Sequence, residues 1–410
     1  MRVYGGCESM LMSRLIYSLK LYRWNCANKP LASATVASQQ SIFTRSMEVS
    51  ESSAIRLVYS NQDFVDDVCR PNILDDKKAI PSTFDTKLKA VWTDRMQKGV
   101  FRYQLGDLQT RILPGPSRYV SQLNVKRGIE RRKPEEILNI KQNYNPKQFN
   151  FNKIKPEEVI FEMTKKESHH DHFNESELGR IMVIVNVSPL DFGHCLLIPE
   201  PRSCFPQVLT PLAIRTGIEA VLLSSDPGFR VGFNSLGAFA SVNHLHLHGY
   251  YLDHELQVEC ASLRPLIPEK GLYCLAHFPV GFLFYTEIDH LDNVVRAISR
   301  VTDYLLEGNQ AHNLFFTRGC PPGDTHVGSR RGVRIVVWPR ISCFGAKEES
   351  AFNVALCELA GHLSFKNQHD YDSSTEDDVK SIIQKYLLPQ EEFLQLEKQL
   401  IAHLRMDLCP

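Results

Sequence analysis

Residues 241–250 read SVNHLHLHGY, so His244, His246 and His248 alternate with Leu245 and Leu247. On a β-strand, successive side chains point to opposite faces, which puts three imidazoles on one face and two leucines on the other. A helix would fan the same residues around its axis. A neutral imidazole can attack phosphorus while a protonated neighbour holds the phosphate oxygens, so the spacing suits nucleophilic phosphate chemistry. Two other readings compete. Imidazole is a common zinc ligand, although same-face side chains on one strand run nearly parallel rather than converging. A histidine row can also be satisfied in a core, or solvated, without a role. Upstream, GFNSLGAFASVN (232–243) has the glycines and small polar residues that let backbone approach a ligand closely. A fourth histidine, His194, stands in DFGHCLLIPE, ahead of a short apolar run.

These side chains need elements to hold them, and the sequence predicts an α+β fold of antiparallel strands with packed helices. STFDTKLKAVWTDRMQKG reads as a helix capped by Ser82 or Thr83, with Phe84, Leu88, Val91, Trp92 and Met96 at helical spacing and Gly99 as its stop. Strands are expected near Val100–Leu105 and Gln109–Leu113, then a turn at PGP, then buried strands at Val159–Met163, Ile181–Val187 and Cys195–Ile198. Thr210 and Pro211 open a helix to about Leu223, and Gly232 leads toward the histidine strand.

The second half reads as the same plan without its chemistry. Strands near Ala276–Pro279 and Phe282–Tyr285 precede a helix over Asp289–Glu307 stopped by Gly308, and the strands HNLFFTR and VRIVVWPR follow. Helices near Glu348–His362 and Asp377–Arg405 finish the chain, the last broken at Pro389. The expected division is a leader over 1–46, a flexible segment over 47–80, a histidine-bearing half over 81–255, a second half without catalytic residues over 256–370 and a helical segment over 371–410.

Composition narrows the class. With 43% hydrophobic and 23% charged residues in 410, the chain can bury a large core. Lys+Arg and Asp+Glu balance at 47 each, so no overall field would gather nucleic acid or an acidic membrane. No run of about 18 apolar residues suggests a membrane span. The basic cluster KRGIERRK (126–133) reads first as a solvated loop; the alternative is phosphate contact by Arg127 or Arg132. None of the 11 cysteines lies within four residues of another, so zinc spacing is absent and reduced thiols are expected. SHHDHFNE (168–175) reads as a mobile loop that could take a metal opportunistically. The first 46 residues hold Arg2, Arg14, Lys20, Arg23, Lys29 and Arg45 against one acid, Glu8, which resembles a mitochondrial transit peptide. Met47 as the true start is the competing explanation, and the cytoplasm is the expected compartment.

The HLHLH run resembles the signature of the histidine triad superfamily of nucleotide hydrolases and transferases. That resemblance implies a galactose-1-phosphate uridylyltransferase-like fold of two fused halves. It also makes His246 the nucleophile toward a nucleotide α-phosphate, gives Asn234 and Ser241 contacts to the phosphate, and makes His194 a support for the nucleophile. A closer resemblance runs from about Ser82 to Lys366. VFRYQLGDLQTRILPG, SQLNVKRG, PKQFNFNKIKPEEVIF, NVSPLDFGHCLLIPEP, VVWPRISCFG and CELAGHLSFK are similar to the GDP-hexose phosphorylases. Plant members carry glutamine at the third triad position, whereas this chain carries His248, which points to the animal branch and its substrate GDP-D-glucose. The implied reaction is phosphorolysis through a guanylyl-histidine, with inorganic phosphate as acceptor and no cofactor or metal. His244, His248, Ser241 and Asn234 would be donors to the phosphate, and Arg127 a further substrate contact. Hydrolysis to GMP and a non-catalytic guanine nucleotide binding module are the rival readings.

Overall fold

Capping side chains and short apolar runs set the elements. Helix α1 (Thr83–Gln97) starts where the Ser82 hydroxyl accepts the Asp85 amide, buries Phe84, Leu88 and Trp92, and stops before Gly99, whose φ is +71°. Helix α3 (Pro211–Leu223) opens on the Thr210 side chain with proline in its first turn. Helix α4 (Leu291–Glu307) buries one face through Val294, Val295, Ile298, Val301 and Leu305. The computed structural model describes residues 55–68, 80–132, 135–166, 179–324, 330–345 and 350–406. The leader over 1–46, most of the 47–80 segment and the SHHDHFNE loop lie outside them.

The strands form one sheet of eleven and one of three. The large sheet is antiparallel throughout, except that β1 (Arg56–Tyr59) runs parallel to β4 (Val159–Lys165). After β4 come β5 (Ile181–Val185), β6 (Cys195–Pro199), β8 (Leu247–Tyr251) and β7 (Phe229–Asn234). Across a seam follow β12 (Ala311–Gly319), β13 (Gly332–Arg340), β11 (Phe282–Thr286), β10 (Leu272–Leu275) and β9 (Leu263–Ile267). Each half thus makes three strands, a helix (α3 or α4), the seam strand, and a last strand inserted between the third and fourth. One face packs on α1, α3, α4 and α8 (Gln390–Arg405) through a core that includes Leu88, Ile218, Ile298 and Leu400. The other is covered by residues 351–387 and by the small sheet of β2 (Gln109–Ile112), β3 (Val120–Leu123) and β14 (His362–Phe365), with Trp338, Phe352 and Leu363 in its core. No helix among the described residues is long and apolar enough to cross a membrane.

Several expected elements differ. Residues 100–105 alternate apolar and polar, yet they form no strand. Phe101 and Tyr103 are buried by loop packing; the Val100 N–H reaches back to the Arg95 carbonyl and the Arg102 N–H reaches the Val187 carbonyl, without a ladder. In the second half the strand before Phe282 ends at Leu275 rather than covering 276–279, and β9 with its Pro265 takes the sheet edge, where a missing N–H is tolerated. Of the helix expected over 348–362, residues 348–349 lie outside the described residues, 350–355 are not helical and only α5 (Leu356–Ala360) forms; Gly361 at φ +102° ends it and turns the chain into β14. The break at Pro389 stands: α7 (Glu376–Gln384) precedes it and α8 follows.

Candidate active site

The ladder of β8 starts one residue after the middle histidine, so only His248 of the three lies on a strand. It pairs with Leu196 on β6 and Gly232 on β7. Upstream, side chains take over the backbone. The Gln207 amide accepts the His246 N–H at 2.9 Å and donates to the His246 and Asn234 carbonyls at 3.1 and 3.0 Å. The Leu245 N–H reaches the Phe205 carbonyl at 2.9 Å. Leu245 and Leu247 are fully buried in the core, as the alternation requires. The ring of Phe151 lies 5.5 Å from His244 and 5.0 Å from His246, and the His246 and His248 rings are 5.1 Å apart. The row therefore persists, held by packing where the ladder is missing.

Hydrogen bonds to backbone determine where each ring proton sits, because an amide N–H only donates and a carbonyl only accepts. His246 Nδ1 lies 2.7 Å from the His244 carbonyl, so it carries the proton and Nε2 keeps the lone pair. His194 Nδ1 accepts the Leu190 N–H at 2.7 Å, so its proton is on Nε2, 3.1 Å from His248 Nδ1. His248 in turn holds its proton on Nε2, a neutral donor. The Trp92 indole anchors this chain by donating to the His194 carbonyl at 3.2 Å. His194 thus steadies His248 and not His246, the partner expected from sequence. His244 accepts the Phe151 N–H on Nδ1 at 3.1 Å and donates from Nε2 to the Pro201 carbonyl at 3.1 Å. Neither ring nitrogen is left for a phosphate, so the donor role expected of His244 gives way to pinning two loops.

Burial decides the charge. It pushes His246 and His244 down to about 4 and holds His194 and His248 well below the usual imidazole range, with Arg127 adding to the shift at the last two. All four rings are neutral near pH 7, so the protonated neighbour anticipated for the phosphate is not a histidine. Cations come instead from the wall of the cleft. The cleft encloses about 1740 Å³ counted out to its mouth, and His194, His246, His248, Asn234, Ser241 and Arg127 all line it. Arg131, Arg132 and Lys366 line it too. The solvated-loop reading of 126–133 therefore fails for its arginines. Asn124 caps α2 (Val125–Ile129), Arg127 donates to the Ser188 carbonyl, and Arg132 stacks on Phe149 at 3.1 Å.

Sequence reasoning missed the second half's share of this wall. Lys366, and Glu358 with its carboxyl pushed up to about 7 by burial, stand beside Arg127. They reach the cleft because Gly232 leaves room for Leu356: a Cβ there would fall 2.6 Å from the Leu356 side chain. The glycine in GFN was a readable signal of close approach, but what approaches was not. Among the described residues no three metal-ligating side chains converge.

Two family models match, described as "GDPGP1-like, N-terminal domain" over residues 83–250 and "GDPGP1-like, C-terminal domain" over 258–406. The chain is 60% identical over 346 residues to "GDP-D-glucose phosphorylase 1" of Danio rerio, covering 84% of this chain and 97% of that one. The chain belongs to the GDP-D-glucose phosphorylase family. A family member from Homo sapiens is 50% identical over 329 residues, covering 79% of this chain and 85% of its own. Outside the GDP-D-glucose phosphorylases, "GDP-L-galactose phosphorylase 2" of Arabidopsis thaliana is 28% identical, covering 77% and 75%. Among solved structures, yeast Ap4A phosphorylase Apa2 shares the fold at a TM-score of 0.50 and 16% identity, over 76% of this chain and 99% of that one.

Proposed function

We propose that this protein carries out phosphorolysis of GDP-D-glucose, releasing glucose 1-phosphate and GDP. His246 carries the reading: its Nδ1 proton is held by the His244 carbonyl at 2.7 Å, so a neutral Nε2 lone pair is ready in a cleft lined with cations. Nε2 attacks the α-phosphorus and the bond to the bridging oxygen breaks. Glucose 1-phosphate departs, leaving a guanylyl group on the ring. Inorganic phosphate then attacks that phosphorus, the P–N bond breaks and GDP leaves. Glucose 1-phosphate is a stabilised leaving group, so positioning and donors supply most of the catalysis. Those donors are His248 Nε2–H, Ser241, the Asn234 carboxamide and the guanidinium groups of Arg127 and Arg131.

In this reading the repeated half-sheets are two histidine-triad units of the galactose-1-phosphate uridylyltransferase kind, with boundaries near 81–255 and 256–370. The cytoplasm suits the cysteines, of which the seven described form no disulfide. The names of the relatives support the substrate. Purified protein incubated with GDP-D-glucose, with and without phosphate, tests the reading. GDP plus glucose 1-phosphate only in the presence of phosphate is the expected result. GMP in both cases would make the protein a hydrolase, and binding without turnover a nucleotide-binding module.

A further inference from the structure

One strand of the second half reaches the site through a side chain that no motif marks. Asn313 on β12 is in register with Asn234 on β7 across the seam. Its Nδ2 donates to Asn234 Oδ1 at 2.6 Å and to the Ala238 carbonyl at 3.0 Å, while its Oδ1 accepts from Arg340 Nη1 at 3.1 Å. Asn234 Oδ1 takes a second hydrogen bond from the Leu356 N–H at 3.0 Å. Arg340 on β13 is fully buried. Its guanidinium lies 4.9 Å from the Phe239 ring and 5.0 Å from the Tyr386 ring, and it also donates to the Val354 carbonyl.

A carboxamide has nearly the same shape either way round, so its neighbours choose the orientation. A guanidinium only donates, so the Asn313 oxygen must face Arg340. Its nitrogen then meets Asn234 Oδ1 and the Ala238 carbonyl, and both its protons are used. With two donors already on Asn234 Oδ1, the Asn234 NH2 makes no hydrogen bond among the described residues, and Asn234 lines the cleft. Turning Asn313 over would set its oxygen against Asn234 Oδ1 and its NH2 against the guanidinium, and turning Asn234 over would set its NH2 against the Asn313 NH2 and the Leu356 N–H, all of them buried.

We propose that Arg340 and Asn313 are positioning residues that set the orientation of Asn234, so that its NH2 is presented as a donor to the phosphate chain of a bound guanine nucleotide. This rests on the nucleotide-binding role of the cleft proposed above. It makes the second half a contributor to the site: a cation in β13 determines, through β12, what β7 offers to substrate.

Asn313→Asp is the discriminating variant. It keeps the shape and the Arg340 partner but removes the donor to Asn234, which then turns its own NH2 inward. The expected result is a loss of roughly 10- to 100-fold in kcat/KM for GDP-D-glucose, with a comparable loss in GDP affinity by calorimetry. In an Asn234→Ala background, Asn313→Asp changes both quantities by no more than about twofold, because the group it orients is gone. A loss of the same size in both backgrounds, or no loss in the wild-type background, overturns the relay. Should Asn313→Asp fail to fold by circular dichroism, Arg340→Lys is put through the same cycle against Asn234→Ala with the same criteria. The calorimetric arm needs no turnover. Coupling in GDP affinity without phosphorolysis would keep the relay and overturn the phosphorolysis reading, whereas phosphorolysis with additive effects would overturn the relay alone.

Discussion

Inside the added edge strand β1, each half of the large sheet runs inward through three strands, an inserted fifth and a seam strand. The inserted strands carry different residues. β8 is preceded by His244 and His246 and contains His248. β13 begins two residues after Arg330 and contains Arg334 and Arg340, and all three of these arginines are buried. Both sets are polar groups in a core, but their partners differ. Glu259, itself fully buried, pairs with Arg230 at 2.5 Å and with Arg330, while Arg334 donates to the carbonyls of Cys320, Val258 and Ala261. Bonds of that kind end inside the protein. In the first half, the hydrogen bonds stop one group short: His246 keeps a lone pair, and His248 and Asn234 keep donors on the cleft wall. A buried polar cluster becomes a site when its fixed bonds orient a group that they do not themselves consume.

This difference can be broken from either side. The largest effect is expected from His246→Asn, which should lower turnover on the order of 10⁵-fold while GDP affinity stays within about tenfold. Calorimetry showing equal losses in binding and turnover would count against a nucleophile. Next is Glu259→Gln, which leaves Arg230 and Arg330 without their buried carboxylate. It should cost about 3–5 kcal/mol in urea denaturation, yet leave kcat per folded molecule unchanged, and a change in kcat would erase the distinction between the halves. Arg131→Ala removes one cation from the wall and should raise the KM for phosphate roughly tenfold with kcat little altered, measured at fixed GDP-D-glucose.

The smallest effect is the pH dependence of stability. Burial depresses His194, His244, His246, His248, His312 and His362. Between about 6.5 and 4 the unfolded chain therefore binds protons that the folded one refuses, so the stability these rings contribute is complete above 6.5 and is lost as pH falls toward 4. Glu358, raised to about 7, acts in the opposite sense, its contribution fading as pH rises through 7, and burial raises Glu135, Asp191 and Asp303 in the same sense, but these are four groups against six. The thermal midpoint should fall between pH 6.5 and 4.5, and a flat profile would mean that the rings are solvated.

Local order decided what could be read from the chain. The alternation HLHLH, the caps at Ser82 and Thr210 and the stop at Gly99 are short-range signals, so the histidine row, both buried leucines and helices α1 and α3 were legible. The run 100–105 shows the limit, because its alternation found no strand to pair with.

The sequence by itself determined the chemistry on offer: three imidazoles and two leucines in strict alternation, with small residues upstream to admit a ligand. Tertiary structure decided how each imidazole is used, because protonation and orientation depend on partners far along the chain. Gln207, 39 residues before His246, holds its backbone; His194, 54 residues before His248, fixes its proton; and Asn313, 79 residues after Asn234, faces its carboxamide. Tautomer, charge and amide direction are set by hydrogen bonds and burial, and those exist only once distant segments have packed together.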